Sequence, residues 1–262
     1  MIVHISPYDF KTGLIDETNR LTNVISATIE RDATDEKSLL ESAVVKLDTS
    51  DFTAGWYAVD ALESDARTRI GVFHFSLNTM EQESDGSFVY ELQGVSVLYN
   101  ASVTRVKGGY SVVKGNSGTA TITDLLSDCA APKEITAFQV AKTQVFNGNV
   151  TKLGACWSVL RAANMCMQIS NDGTINVIPT PTELTKTITF TGGELTGAVS
   201  VSTDEVGYDC VLHGRPYDAV YLNLPKFGID TTLHIASQSI NLEKALIAQE
   251  TVKEKPYDDD DN

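Results

Sequence analysis

One stretch constrains the fold more than any other: LGACWSVLRAANMCMQISNDGTINVIP, residues 153–179. Leu153, Trp157, Leu160 and Ala163 recur at intervals of four, three and three, with Cys156 and Val159 flanking them. That spacing makes one face of a helix apolar, and Thr151 stands where a capping hydroxyl is wanted. No linker follows. MQIS and INVIP read as two strands around Asn171-Asp172-Gly173, a turn that tolerates the positive φ of a tight hairpin. A helix folded back on its own hairpin uses up its stripe in burying itself. Trp157 and Met165 are therefore expected in a core, in a small α/β module with no chemistry on it.

Before this module the chain alternates. VISATIER (24–31) sets Ile25, Ala27 and Ile29 against Ser26, Thr28 and Glu30, and VVKLD (44–48) and GWYAVDAL (55–62) follow. RIGVFHFSLNT (69–79) puts Phe73, Phe75 and Leu77 on one face and His74 and Ser76 on the other. After the turn ESDGS, FVYELQGVSVLYNASV continues the same period, and ATDEKSLLES (33–42) reads as a loop or one helical turn. Short alternating strands joined by local turns suggest a closed or nearly closed antiparallel barrel. Ser117 or Thr119 is placed to cap a short helix carrying Ile122, Leu125 and Leu126, ended by Pro132. FQVAKTQVFNGNVT is irregular or a short strand. From about residue 185, KTITFTGG, TGAVSVSTD, YDCVLHGR and DAVYLNL resume as strands, and KEKPYDDDDN is too polar to pack.

The expected class is mainly β (α+β). Two β-barrel-like domains, 1–110 and 185–255, hold the α/β module, 111–184, between them, and 256–262 form an acidic flexible tail. At 262 residues and 42% apolar content the chain is long enough for two small cores. The first twenty residues hold no continuous apolar run, so no secretory signal is expected, and no run approaches the length of a spanning helix. Cys129, Cys156, Cys166 and Cys210 have no CxxC spacing and sit in apolar contexts, which favours reduced core thiols over disulfides or metal.

Charge is unevenly spread. Residues 1–100 carry 17 acidic and 7 basic side chains, residues 101–257 carry 14 and 13, and Asp258 to Asp261 complete the net −15. The plain meaning is solubility; the sharper one is a surface that repels a phosphate backbone.

Searches for chemistry fail. Asp48-Thr49-Ser50 and Asp230-Thr231-Thr232 both lack the glycine of an aspartic-protease loop. His4, His74, His213 and His234 have no HxH or HxxxH spacing, so zinc is not expected. TGGELTG (191–197) has no lysine and no following helix, so it is a turn and not a phosphate loop. No basic cluster exceeds two residues, which disfavours nucleic-acid binding. A glycosidase pair among 35 acids has no sequence mark. No catalytic, cofactor-binding or metal-ligating residue is expected, and no cofactor.

The order of modules resembles the tail-tip and baseplate hub family of bacteriophages. SLLESAVVKLD with GWYAV resembles the first barrel's early strands, and YELQGVSVLYNASV the strand leaving it. LGACWSVLRAANMCMQISNDGTINVIPTP is similar to the family's helix and strand pair, and YDCVLHGRPYDAVYL to a later barrel strand. The resemblance implies a non-enzymatic homotrimeric ring in the virion tail tip, assembled in the host cytoplasm. Its implied partners are the tail tube or distal tail protein, a spike or fibre protein and the tape measure protein, with DNA passing through unbound. Two other classes stay open: a carbohydrate-binding β module, which needs exposed aromatic platforms where Trp56 and Trp157 both look buried, and a glycan-degrading tail enzyme.

Overall fold

The computed structural model describes residues 1–34, 40–63, 66–181, 189–190, 195–242 and 246–254. The first part is seven strands: β1 (Ile2–Asp9), β2 (Leu14–Ile15), β3 (Val24–Asp32), β4 (Leu40–Leu47), β5 (Gly55–Glu63), β6 (Ala66–Gln82) and β7 (Phe88–Val95). The middle holds α1 (Tyr99–Val103), β8 (Tyr110–Val112), α2 (Gly118–Leu125), β9 (Lys133–Ile135), β10 (Gln144–Phe146), α3 (Lys152–Ala162), β11 (Met165–Ile169) and β12 (Ile175–Pro179). The last part has β13 (Thr189–Phe190), β14 (Leu195–Val201), β15 (Glu205–Val211), β16 (Ala219–Leu224), β17 (Ile229–Asn241) and β18 (Ile247–Lys253).

The chain is mainly β, and its pairing has one governing feature. Thirteen strands join a single sheet whose path runs β14-β15-β18-β17-β3-β4-β7-β6-β5-β1-β2, with β13 and β16 joined to it through β17. The connecting strand is β17. Its first half, Ile229–His234, pairs with β16, and its second half, Ser237–Asn241, pairs with β3. A bulge between Ile235 and Ser237 separates the halves, and such an extra residue bends a strand. The ladders among the described strands make an open sheet without a closed barrel.

Three apolar clusters sit against this sheet. Ile5, Ile29, Leu47, Val59, Phe73 and Phe75 form one, and Ile240, Leu242 and Ala248 reach it from the C-terminal part. Val206, Tyr208, Val220, Leu222, Ile235 and Val252 form another. The largest belongs to the middle module and also takes Ala33, Leu40 and Tyr217 from outside it.

The module follows its sequence closely. Thr151 Oγ1 accepts from the Gly154 amide at 3.0 Å and Ser117 Oγ from the Ala120 amide at 3.2 Å, so both helices are capped by side chains. Trp157 is buried and stacks on Tyr217 at 6.2 Å between centroids. The hairpin β11–β12 turns at Gly173, φ +82°. A third strand, β9, adds in parallel to β12 and was not apparent from the sequence.

Four local expectations are corrected. Leu40–Ser42, read within a loop, opens β4; residues 35–39 of that stretch lie outside the described residues. Ile25 is exposed, because the register shifts between Val24 and Ser26. Leu77 is exposed although Phe73 and Phe75 are buried, because β6 outruns the core and shifts register between Leu77 and Thr79. The period after β7 does not continue: the Ser96 hydroxyl and carbonyl accept from the Leu98 and Tyr99 amides and turn the chain into α1. Most of KTITFTGG and the tail 255–262 lie outside the described residues.

Candidate functional site

The most organised polar chemistry is buried where the sheet, the module hairpin and the loop 212–218 meet. Glu41 on β4 lies between two arginines, its Oε2 at 3.5 Å from Arg31 Nε and 3.5 Å from Arg215 Nη1. Arg31 also donates to the Ile70 carbonyl at 2.7 Å and to Gln238 Oε1 at 3.1 Å. Gln238 passes the chain on, donating to Glu250 Oε1 at 2.6 Å and to the Gly214 carbonyl at 3.0 Å. Glu250 Oε2 faces His213 Nε2 at 3.6 Å, and His213 Nδ1 faces Cys210 Sγ at 3.5 Å. The Arg215 guanidinium donates to the carbonyls of Ile70 and Ile169 and to Asn171 Oδ1, so one side chain ties β6, β11 and the hairpin turn. Gln168 on β11 answers from the module side, donating to the Pro216 carbonyl at 2.8 Å and Asp218 Oδ1 at 3.1 Å.

Burial dominates the electrostatics here. It pushes the Glu41 carboxyl up, against the opposing pull of Arg215 and Arg31. It lowers Arg31 to about 9, helped by the neighbouring Arg215, and lowers Arg215 as well. Glu250 is raised by burial, with His213 opposing. Two arginines and two carboxylates balance in charge, which is the condition for burying ions at tolerable cost.

The strand pattern explains how these groups come to be inside. Ala27, Ile29 and Arg31 share the inward face of β3, and Glu41, Ala43, Val45 and Leu47 that of β4. Ala236, Gln238 and Ile240 point inward on β17, as do Ala248, Glu250 and Val252 on β18. A charged residue at an apolar parity is the signal that would have found the network; its partners are too far apart in sequence for spacing to reveal.

Cys210, His213 and Glu250 are wired in the order of a nucleophile, a base and an orienting acid. Their ligand atoms also lie within 4.8 Å of one another, a grouping that would suit a metal ion. The spacing of the histidines in sequence gave no sign of this grouping around His213. Cys210 has no solvent exposure, and burial, with Glu250 next, pushes its thiol up, so a substrate does not reach a thiolate in this arrangement. The three side chains close the His213 end of the polar chain.

The other singled-out residues are placed apart. His4 lies 3.1 Å from Arg20, and His234 Nε2 lies 2.6 Å from the Pro181 carbonyl. His74 meets Trp56 edge-on at 5.2 Å. Asp48 follows β4 on the surface, whereas Asp230 accepts from the Tyr221 hydroxyl on the β16–β17 ladder, so the two triplets belong to different elements. The four cysteines are free and buried. Trp56 is only half-buried and lines a cleft of about 400 Å³ with His74, Ser76, Tyr99 and Asn100. Among the described residues no helix is long and apolar enough to cross a membrane.

No family model and no curated protein sequence matches the chain. Solved structures do. The 43 kDa tail protein of prophage MuSo2 from Shewanella oneidensis superposes with a TM-score of 0.69 at 8% identity, covering 97% of this chain and 97% of that one. A tail protein from Neisseria meningitidis MC58 gives 0.68 at 10% identity over 98% and 99%. Prophage tail protein gp18 from Listeria monocytogenes EGD-e gives 0.58 at 10% identity over 98% and 95%. At such identities the likeness is one of fold, and it runs end to end: this chain has the fold of these phage and bacterial tail proteins.

Proposed function

We propose that the chain is a structural subunit of a phage tail, and more specifically a hub at the tail tip or baseplate. Copies of it would form a trimeric ring that joins the tail tube to a spike or fibre and leaves a passage for DNA. The observation that carries this reading is the end-to-end likeness to three tail proteins, each matched over nearly its whole length. The buried network fits the role. A ring subunit must hold its parts at fixed angles under load, and charge-balanced side chains cross-linking three units supply fixed geometry and not turnover. The domain boundaries at 110, 184 and 255, the ring's partners and its virion location belong to the same proposal. The test is cryo-electron microscopy of assembled particles carrying a labelled copy of this subunit. Density at the tail tip supports the hub; label elsewhere in the tail leaves a structural role and removes the hub, and label absent from the particle removes both.

The half-buried Trp56 supports a second reading, a carbohydrate-binding module. Glycan-array binding that is lost in Trp56→Ala, with the melting temperature kept, would favour it.

A further inference from the structure

The hairpin of β6 and β7 overhangs its own core. Residues 76–88 are all exposed, so both faces of a two-stranded ribbon stand in water, an arrangement of marginal stability. The faces are unlike. Met80 opposes Tyr90 and Gln82 opposes Phe88, and this row continues the one that buries Leu92. Met80 and Phe88 therefore extend the core-facing side of the sheet beyond the core, 56% and 40% exposed. The rim is acidic: Glu81, Glu83 and Asp85 lie here, and no Lys or Arg occurs between residues 70 and 104.

The stretch 101–181, which takes in the end of the first domain and most of the module, carries the complementary surface. Residues 101–181 hold seven basic and four acidic side chains, leaving 13 and 31 for the rest of the chain. β8 and β10 form a ribbon that buries Val112 and Phe146 on its inner side. Its outer side presents Val113 and Val145, 46% and 69% exposed, with Lys107, Lys114 and Lys142 exposed around them. No Asp or Glu occurs in 92–123 or in 135–171.

We propose that the β6–β7 overhang of one copy docks on the outer face of β8–β10 in a second copy of this chain. Apolar rows would meet at the centre and opposite charges at the rim, the arrangement of a specific interface. Two different patches in contact make a head-to-tail joint, which closes into a ring when its rotation allows. The proposal rests on reading the chain as a self-assembling tail subunit.

The test is the mass of the purified full chain by light scattering, in low salt. Wild type should exceed 28.4 kDa. Glu81→Lys with Glu83→Lys and Asp85→Lys should reduce it to a single chain, as should Lys107→Glu with Lys114→Glu and Lys142→Glu. Combining both sets restores the opposite charges and should restore the assembly. All six residues are exposed, and Asp85 also accepts from the Ser87 amide and hydroxyl in the β6–β7 turn, so the melting temperature should fall by no more than the loss of those surface bonds; if a set unfolds the chain, Met80→Ser with Phe88→Ser tests the same face. A wild type that remains a single chain overturns the contact. So does an assembly that none of these sets weakens, or a combined variant that stays dissociated when each set alone dissociates. Failure of the hub reading itself is separate: it is seen as label absent from the tail tip.

Discussion

Trp157 and Tyr217 join the module to the C-terminal part through one stacked pair, and both are buried. Truncating a buried Trp costs about 3–5 kcal/mol, so Trp157→Ala should lower the melting temperature strongly. Trp157→Phe should cost much less, because the indole N–H meets no acceptor among the described residues and leaves none stranded when removed. Thermal melts of the two variants decide this; equal losses would mean that the nitrogen matters. Gly173 is a sharper case. Its φ of +82° is unfavourable for an L side chain, and an added Cβ would lie 2.9 Å from the Phe10 ring and 3.1 Å from Val72. Gly173→Ala should therefore destabilise by at least about 1–2 kcal/mol, and chemical denaturation reads it directly. The sequence disclosed the turn through Asn-Asp-Gly but not that its tip rests on Phe10, because nothing local couples residues 10 and 173.

At the scale of elements, what was legible was what repeats locally. The helix stripe, its Thr151 cap and the alternation of Phe73 and Phe75 with His74 are short-period signals, and the structure follows them. The two bulges that expose Ile25 and Leu77 break the period without a mark in composition. The dual pairing of β17 is a contact between residues near 30 and near 238, which no periodicity reports. The buried network was half-legible: Arg31, Glu41 and Glu250 sit at inward parities, but their partners come from the fold. Glu41→Ala would leave Arg31 and Arg215 buried without their shared counter-charge and should cost about 3–5 kcal/mol. Glu250 tests the pH dependence. Its raised value means that the folded chain holds this proton to higher pH than the unfolded chain does. The contribution to stability is therefore complete below the unfolded value and is lost as pH rises through the folded one. Glu250→Gln keeps an acceptor for Gln238 and removes the charge. The melting temperature of the variant relative to wild type should climb as pH rises above the ordinary carboxyl value of 4.5, and parallel curves would sink the argument.

For the whole molecule the question is where the charge lies. Residues 1–100 carry 17 acids against 7 bases while residues 101–181 are net basic, and solubility depends only on the total. Many of these acids are exposed, among them Asp9, Asp16, Glu30, Asp48, Asp51 and Glu63, so they are free to face a lumen or the outside. On the hub reading, acids from each copy would gather about one axis. Their field extends about 10 Å at 0.1 M salt, so those that line a channel would keep DNA from adhering, whereas lysines there would bind phosphate and release counterions. Reversing the exposed acids to Lys in small groups should slow genome ejection from assembled particles when the group faces the channel, and high salt should restore the rate. Groups facing outward should leave ejection unchanged at any salt. If every group behaves like the second kind, the charge partition serves solubility alone and the channel wall must be sought in other residues.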